Sequence, residues 1–218
     1  MDGFNFSARL HFSELTGVSA ENLNGLLNGF RSVSDSSIYH HTHRFLQQHL
    51  AISPEPPNDF AYWVSHILGE EELGESLGSI DIMQFTDIGQ LRAALIATVE
   101  NYLADNPRAA QRFCGKGKDF YFIKSISFIL PLGIVVHDLP SFASAIEMIP
   151  VDSLYFHMFE ARLRLGKKSN DFSCWVEQAF GDSVLAQTIA RIDPYSYTLD
   201  DLRAKLACLI RNSVKVAG

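Results

Sequence analysis

NDFAYWV at Asn58–Val64 returns as NDFSCWV at Asn170–Val176, with five of the seven positions identical at an offset of 112. Similarity at a fixed offset marks a chain built from copies of one unit, and it governs how every other segment is read. At the same offset Ile80-Asp81 meets Ile192-Asp193 and Thr86 meets Thr198. One deletion later, LRAAL at Leu91–Leu95 meets LRAKL at Leu202–Leu206. Upstream, Ser37, Tyr39 and His41 meet Ser153, Tyr155 and His157 at an offset of 116. The change of four falls in the loop after the second helix, where ISPEPP at Ile52–Pro57 is longer than its counterpart. Phe4, Phe6 and Phe12 meet Phe120, Phe122 and Phe128. The sequence thus predicts a tandem duplication: copy one over residues 1–104, a linker over 105–116 and copy two over 117–218.

Each copy reads as one strand followed by about five helices. Phe4, Phe6, Ala8, Leu10 and Phe12 alternate with polar residues, the period of a half-buried strand. Leu23, Leu26, Leu27 and Phe30 form a helical stripe after a candidate N-cap at Ser19, and Leu139, Phe142, Ala143 and Ile146 repeat it. A second helix starts near Ser36 and carries the tyrosine and histidine. Asn58-Asp59 and Asn170-Asp171 open a third, and Gly69 and Gly181 close it in the left-handed conformation that ends many helices. A short helix with Leu73 and Leu77, and a last one from Thr86 or Thr198, complete each copy. A lone strand leaves both edges unpaired. The fold class is therefore mainly α (α+β), with the two strands pairing across a pseudo-two-fold axis inside one intertwined globular unit. A homodimer pairing strands between chains is the competing arrangement.

Composition narrows the function. The chain has 218 residues, 47% of them hydrophobic and 20% charged, which excludes a disordered or coiled-coil protein. The most apolar run, from Phe120, is broken by Lys124, Pro131 and Gly133, so no membrane helix is expected. No basic-then-apolar leader opens the chain. Residues 1–109 hold 14 acids and 5 arginines, a balance of −9, and residues 110–218 hold 11 acids and 13 bases, +2, giving the net −7. The bases are scattered apart from KGK at Lys116–Lys118 and RLGKK at Arg164–Lys168, so no nucleic-acid surface is expected. Cys114, Cys174 and Cys208 form no CxxC pair, which points to free thiols and a cytoplasmic location.

SIYHHTHRF and SLYFHMFEARLRL, each followed by NDF-x-x-W and then ID-x-x-x-x-T and LR, resemble a prokaryotic family of domains of unknown function. Its members occur alone and beside glycosyltransferase domains of the trehalose-synthase type. The resemblance covers almost the whole chain and implies a link to carbohydrate metabolism. Copy two fits the pattern at Tyr155, His157, Phe159, Glu160 and Arg162. Copy one departs, with His43 and Arg44 where Phe159 and Glu160 stand.

The candidate ligand-binding residues are Tyr39, His41, Tyr155, His157, Glu160 and Arg162. His157 and Glu160 share a helix face and could supply two metal ligands. His40, His41, His43 and His49 crowd one helix of copy one. The neighbouring Ile38 and Phe45, and Leu154 and Ala161, favour a packed, hydrogen-bonded ring for His41 and His157 over a ligand-binding one. Asn58, Asp59, Asn170 and Asp171 read as caps, and Trp63 and Trp175 as core. Arg92 and Arg203 read as buried cations paired with Asp81 and Asp193. There is no GxxxxGK[ST], GxGxxG, HExxH or GxSxG. The sequence therefore favours a non-catalytic module that binds a protein or small-molecule partner, and names no cofactor. The alternative is a metal-dependent hydrolase with a His/Glu site in the second copy.

Overall fold

In the computed structural model, β1 (Phe4–Ala20) pairs antiparallel with β2 (Phe120–Val136) as a two-stranded sheet. The structure describes residues 3–49, 58–166, 169–193 and 197–217. The ISPEPP insertion, Lys167-Lys168 of the RLGKK run and the side chain of His49 lie outside the described residues.

After β1 come α1 (Leu23–Ser32), α2 (Asp35–Tyr39), a π-helical turn (His40–Arg44) and α3 (Phe45–His49). Next are α4 (Asp59–Trp63), a π-helical turn (Val64–Leu68), α5 (Glu71–Gly78) and α6 (Ile88–Asp105). After β2 the order is α7 (Leu139–Met148), α8 (Val151–Tyr155), a π-helical turn (Phe156–Glu160) and α9 (Ala161–Leu165). The described helices end with α10 (Asp171–Phe180), α11 (Ser183–Ala190) and α12 (Leu199–Ala217).

The chain forms two compact units. Unit 1 holds Met1–Leu10 and Ser127–Gly218, and unit 2 holds His11–Ile126. Each unit therefore contains one run of helices and a segment of both strands. In unit 1, Phe4, Phe6 and Ala8 face the helices and are buried. Phe4 and Phe6 lie with ring centroids 5.5 and 5.8 Å from Phe142, and Phe4 is 5.3 Å from Phe172. In unit 2, Phe120 and Phe122 do the same, 5.3 and 6.2 Å from Phe60. Stacked, tilted and edge-on aromatic pairs of this kind add to burial by favourable quadrupole contacts.

The strand is longer than its alternation suggests. Ser19 does not cap α1; β1 runs to Ala20 and Asn22 is the cap, accepting from the Gly25 amide at 2.8 Å. The period-two signal fades beyond Phe12 because that part of β1 is solvated on both faces, so nothing selects alternate apolar residues. The third-helix starts match the sequence closely. Asn58 and Asn170 are fully buried and accept from the amides of Ala61 and Ser173 at 2.9 and 2.8 Å. Each also donates to a carbonyl of the next helix, Leu77 or Ile189. Gly69 and Gly181 close these segments with φ of +69° and +65°, a conformation that penalises any residue with a Cβ.

Candidate functional site

The repeated histidines are clamps between helix and strand. In unit 2, His41 is 1% exposed. Its Nδ1 lies 2.7 Å from Asp59 Oδ2, and its Nε2 accepts from the Ile123 amide at 2.9 Å. In unit 1, His157 is 4% exposed. Its Nδ1 lies 2.7 Å from Asp171 Oδ2, and its Nε2 accepts from the Ser7 amide at 2.9 Å. A backbone N–H only donates, so Nε2 must carry the lone pair and Nδ1 the proton given to the carboxylate. These partners assign a neutral Nδ1–H tautomer to both rings. Both nitrogens of each ring are thereby engaged, and neither is left to ligate a metal or relay a proton.

Aspartates 59 and 171 are thus not the caps that the sequence suggests. The preceding asparagines cap, and the aspartates, one residue on, orient the histidines. The two His–Asp separations are 18 and 14 residues, yet the bonds are equal in length. The intervening chain length does not set the contact.

The π-helical turns carry the histidines. Tyr39 and Tyr155 just precede them and are 6% and 0% exposed, so both belong to the core. Tyr39 stacks on His43 at 5.7 Å and its hydroxyl lies 3.3 Å from His11 Nε2. Tyr155 packs edge-on against Phe159 at 5.3 Å. Glu160 is 1% exposed and pairs with Arg9 Nε at 3.2 Å rather than joining His157. Arg162 donates to the Ala190 carbonyl at 3.3 Å. Among the described residues, no three His, Cys, Asp or Glu side chains gather to hold a metal ion.

The repeated arginines find partners other than Asp81 and Asp193. Arg92 donates to the Phe30 carbonyl and to Asp35 at 2.6 Å. Arg203 donates to the carbonyls of Glu147 and Ile149 at 2.9 and 2.7 Å, with Asp200 at 3.8 Å. The physical reason is the helix end: the last carbonyls of α1 and α7 have no intrahelical donor and carry partial negative charge. Asp81 instead caps the turn at Ile82–Gln84, accepting from the Met83 amide at 3.0 Å. Asp193 is exposed.

Beside His157, unit 1 has an open cleft of about 500 Å³. Its polar lining includes Asn5, Arg164, Asp171 and Gln178, and its aromatic lining Phe156 and Trp175. The Arg164 guanidinium lies 4.5 Å from the Phe156 ring centroid and donates to Asp171 Oδ2 at 2.5 Å. Asp171 therefore accepts from both His157 and Arg164. Burial alone would push its carboxyl up, but those two donors outweigh burial and hold it below the usual carboxylate range. Trp63 is a core residue, its indole N–H donating to the Lys118 carbonyl at 2.8 Å. Trp175 is only partly buried and lines the cleft, which departs from its reading as core.

In unit 2, His40 Nδ1 lies 2.9 Å from Ser125 Oγ. Burial first, and then the neighbouring His41, hold the His40 ring at a pKa of about 4, with Asp59 opposing and Arg44 and His11 adding to the fall. The folded state thus disfavours the charged ring. Its stability contribution is complete above the unfolded value near 6.5 and is lost as pH falls toward 4. Melting temperatures taken from pH 7 to pH 4.5 should fall less in His40→Gln than in the wild type. Parallel curves would show that His40 does not titrate this way.

The sequence missed Arg164 as a site residue, Arg9 as the partner of Glu160, and the His–Asp bonds. For the last there was a signal: Asp59 and Asp171 are repeated alongside His41 and His157.

Fold, clamps and cleft describe a helical protein whose two units use the same histidine device. Residues 1–211 match a family of unknown function (DUF5752), and the chain belongs to that family. Among solved structures it is similar to one described as "The structure of OrfY from Thermoproteus tenax". That likeness has a TM-score of 0.80 and 28% identity, covering 96% of this chain and 94% of the other. Among curated proteins, none matches this chain. No described helix is long and apolar enough to cross a membrane.

Proposed function

We propose that this chain is a non-catalytic binding module, made by duplication of a strand-plus-helices unit. Copy one spans residues 1–104, copy two 117–218, and 105–116 link them. The cleft beside His157 takes a small polar ligand with both hydroxyl groups and an apolar face, as a sugar or sugar derivative has. The observation that carries this reading is the cleft lining: donors and acceptors from Asn5, Arg164, Asp171 and Gln178 beside the aromatic Trp175 and Phe156. A few convergent polar groups on an otherwise apolar concavity are the usual form of a small-molecule site. The engaged histidine nitrogens support binding over catalysis. The matched His–Asp bonds, asparagine caps and left-handed glycines support the duplication. Three free cysteines fit a reducing cytoplasm.

A thermal-shift panel of divalent metals, sugars, sugar phosphates, nucleotide sugars and nucleotides tests the proposal. A ligand at a hundred times its dissociation constant stabilises the fold by about 2.7 kcal/mol. A sugar-containing compound should raise the melting temperature of the wild type, and the rise should vanish in Arg164→Met and Gln178→Ala. A response to a metal ion alone, lost in His157→Gln, would support the hydrolase alternative instead.

A further inference from the structure

Unit 1 holds a second concavity, which shares no lining residue with the cleft beside His157. It lies between α11 and α12 and has a volume of about 470 Å³. Val184, Leu185 and Leu209 form its apolar wall, and Val184 is 80% exposed. Its polar end holds Asp182, Asn212 and Ser213. Asp182 Oδ1 accepts from the Leu185 amide at 2.9 Å, and Oδ2 from the Ser213 hydroxyl at 2.6 Å. Those donors, Ser213 first, hold its carboxyl below the usual carboxylate range, so it is ionised at neutral pH. A carboxylate has about four lone-pair sites, and these two bonds leave the others free. Among the described residues no cation pairs with Asp182.

Unit 2 shows what such a carboxylate takes when the chain supplies it. Glu70, at the offset of 112 from Asp182, starts α5 as Asp182 starts α11. It accepts from the Tyr102 hydroxyl of α6 at 2.6 Å, as Asp182 does from Ser213 of α12. It also faces the Arg112 guanidinium, whose Nε lies 3.1 Å from Oε1. The same kind of carboxylate is thus met by an organic cation in unit 2 and by none in unit 1.

We propose that the concavity between α11 and α12 binds a small organic cation, an ammonium or guanidinium group on an aliphatic body. The charged head sits at Asp182, with the Asn212 side-chain carbonyl as a further acceptor. The aliphatic body covers Val184, Leu185 and Leu209. An inorganic cation would leave that wall wet, and an anion would be repelled by Asp182. A concavity of a few hundred cubic ångströms, mostly apolar with a few polar groups at one end, is the usual form of a small-molecule site. The positive end of α11 opposes a cation with only about half an elementary charge, against the full charge of Asp182. The pairing of Glu70 with Arg112 forms at the start of α5 under the same opposition.

Hexylammonium is the probe, with 1-hexanol and hexanoate as chain-matched neutral and anionic controls at equal ionic strength. Titration of the full chain, followed by calorimetry and ¹H–¹⁵N correlation spectra, should show saturable binding with shift changes at Leu185, Leu209 and Ser213. Hexanol and hexanoate should bind about ten-fold more weakly or worse, the worth of a hydrogen bond to a charged group. Asp182→Asn keeps a good cap at the start of α11 and should weaken hexylammonium binding about ten-fold. Val184→Arg, at an exposed position, sets a guanidinium at the wall and should weaken it by a similar factor. Arg164→Met, in the other cleft, should leave it unchanged. Absence of saturable binding, equal affinity for hexanol and hexylammonium, or binding that survives both Asp182→Asn and Val184→Arg would overturn the proposal. So would loss of binding in Arg164→Met, which would place the amine beside His157.

Discussion

Replacing Arg9 with methionine is expected to lower the free energy of unfolding by about 3–5 kcal/mol. Glu160 is 1% exposed, and the Arg9 cation lies 3.2 Å from it as an ion-pair partner. Without that cation, a carboxylate is held in the interior of unit 1 with little water to solvate it. The cost is that of a buried charge that has lost an ion-pair partner, above the value of an exposed ion pair. The pair itself is a different matter. A buried ion pair is often no better than packed apolar side chains of similar size. Arg9→Met combined with Glu160→Met should therefore recover to within about 1–2 kcal/mol of the wild type. Urea denaturation of the wild type, both single variants and the double variant gives the cycle. If the double variant is as unstable as the sum of the singles, the pair is not coupled and the account of Glu160 is wrong.

The second large effect is at the clamp. His157→Ala leaves the Ser7 N–H without its acceptor and removes one of the two donors to Asp171. A buried unpaired donor costs about 1–3 kcal/mol. The lost ring adds a cavity beside Phe4 and Phe172, which lie 4.9 and 5.4 Å from it. A total loss of about 3–4 kcal/mol follows. His157→Gln should lose less, since its side-chain carbonyl can still accept from Ser7 while the amide can still donate to Asp171. His41→Ala should cost a similar amount in unit 2, where Phe120 and Phe60 lie 4.7 and 5.3 Å from the ring. Equal stability of the alanine and glutamine variants would mean that hydrogen bonding to the strand contributes nothing.

Local features were legible in the sequence. Asn58 and Asn170 cap because their side-chain oxygens sit just before an apolar helical stripe, and that rule needs no tertiary information. Leu23, Leu26, Leu27 and Phe30 are buried as their spacing implies. What the sequence hid was set by distance in space. Arg92 prefers the end of α1 to Asp81 because packing brings that helix end to it, and no spacing rule encodes this. Asp59 and Asp171 looked like caps because a cap was needed there, and the neighbouring asparagine had already met the need. Arg164 was hidden in a basic run that reads as solvated surface, although its guanidinium stacks on Phe156 and bonds Asp171. The pairing of Arg9 with Glu160 joins residues 151 positions apart, which single-sequence periodicity cannot show.

The central claim is that His41 and His157 are clamps with no nitrogen left for chemistry. Long-range ¹H–¹⁵N correlation of the histidine rings measures this directly. At pH 7 both rings should appear as the neutral Nδ1–H tautomer, with Nε2 unprotonated and accepting from the strand amide. A ring found protonated at Nε2, or exchanging between tautomers, would show a free nitrogen there and contradict the account.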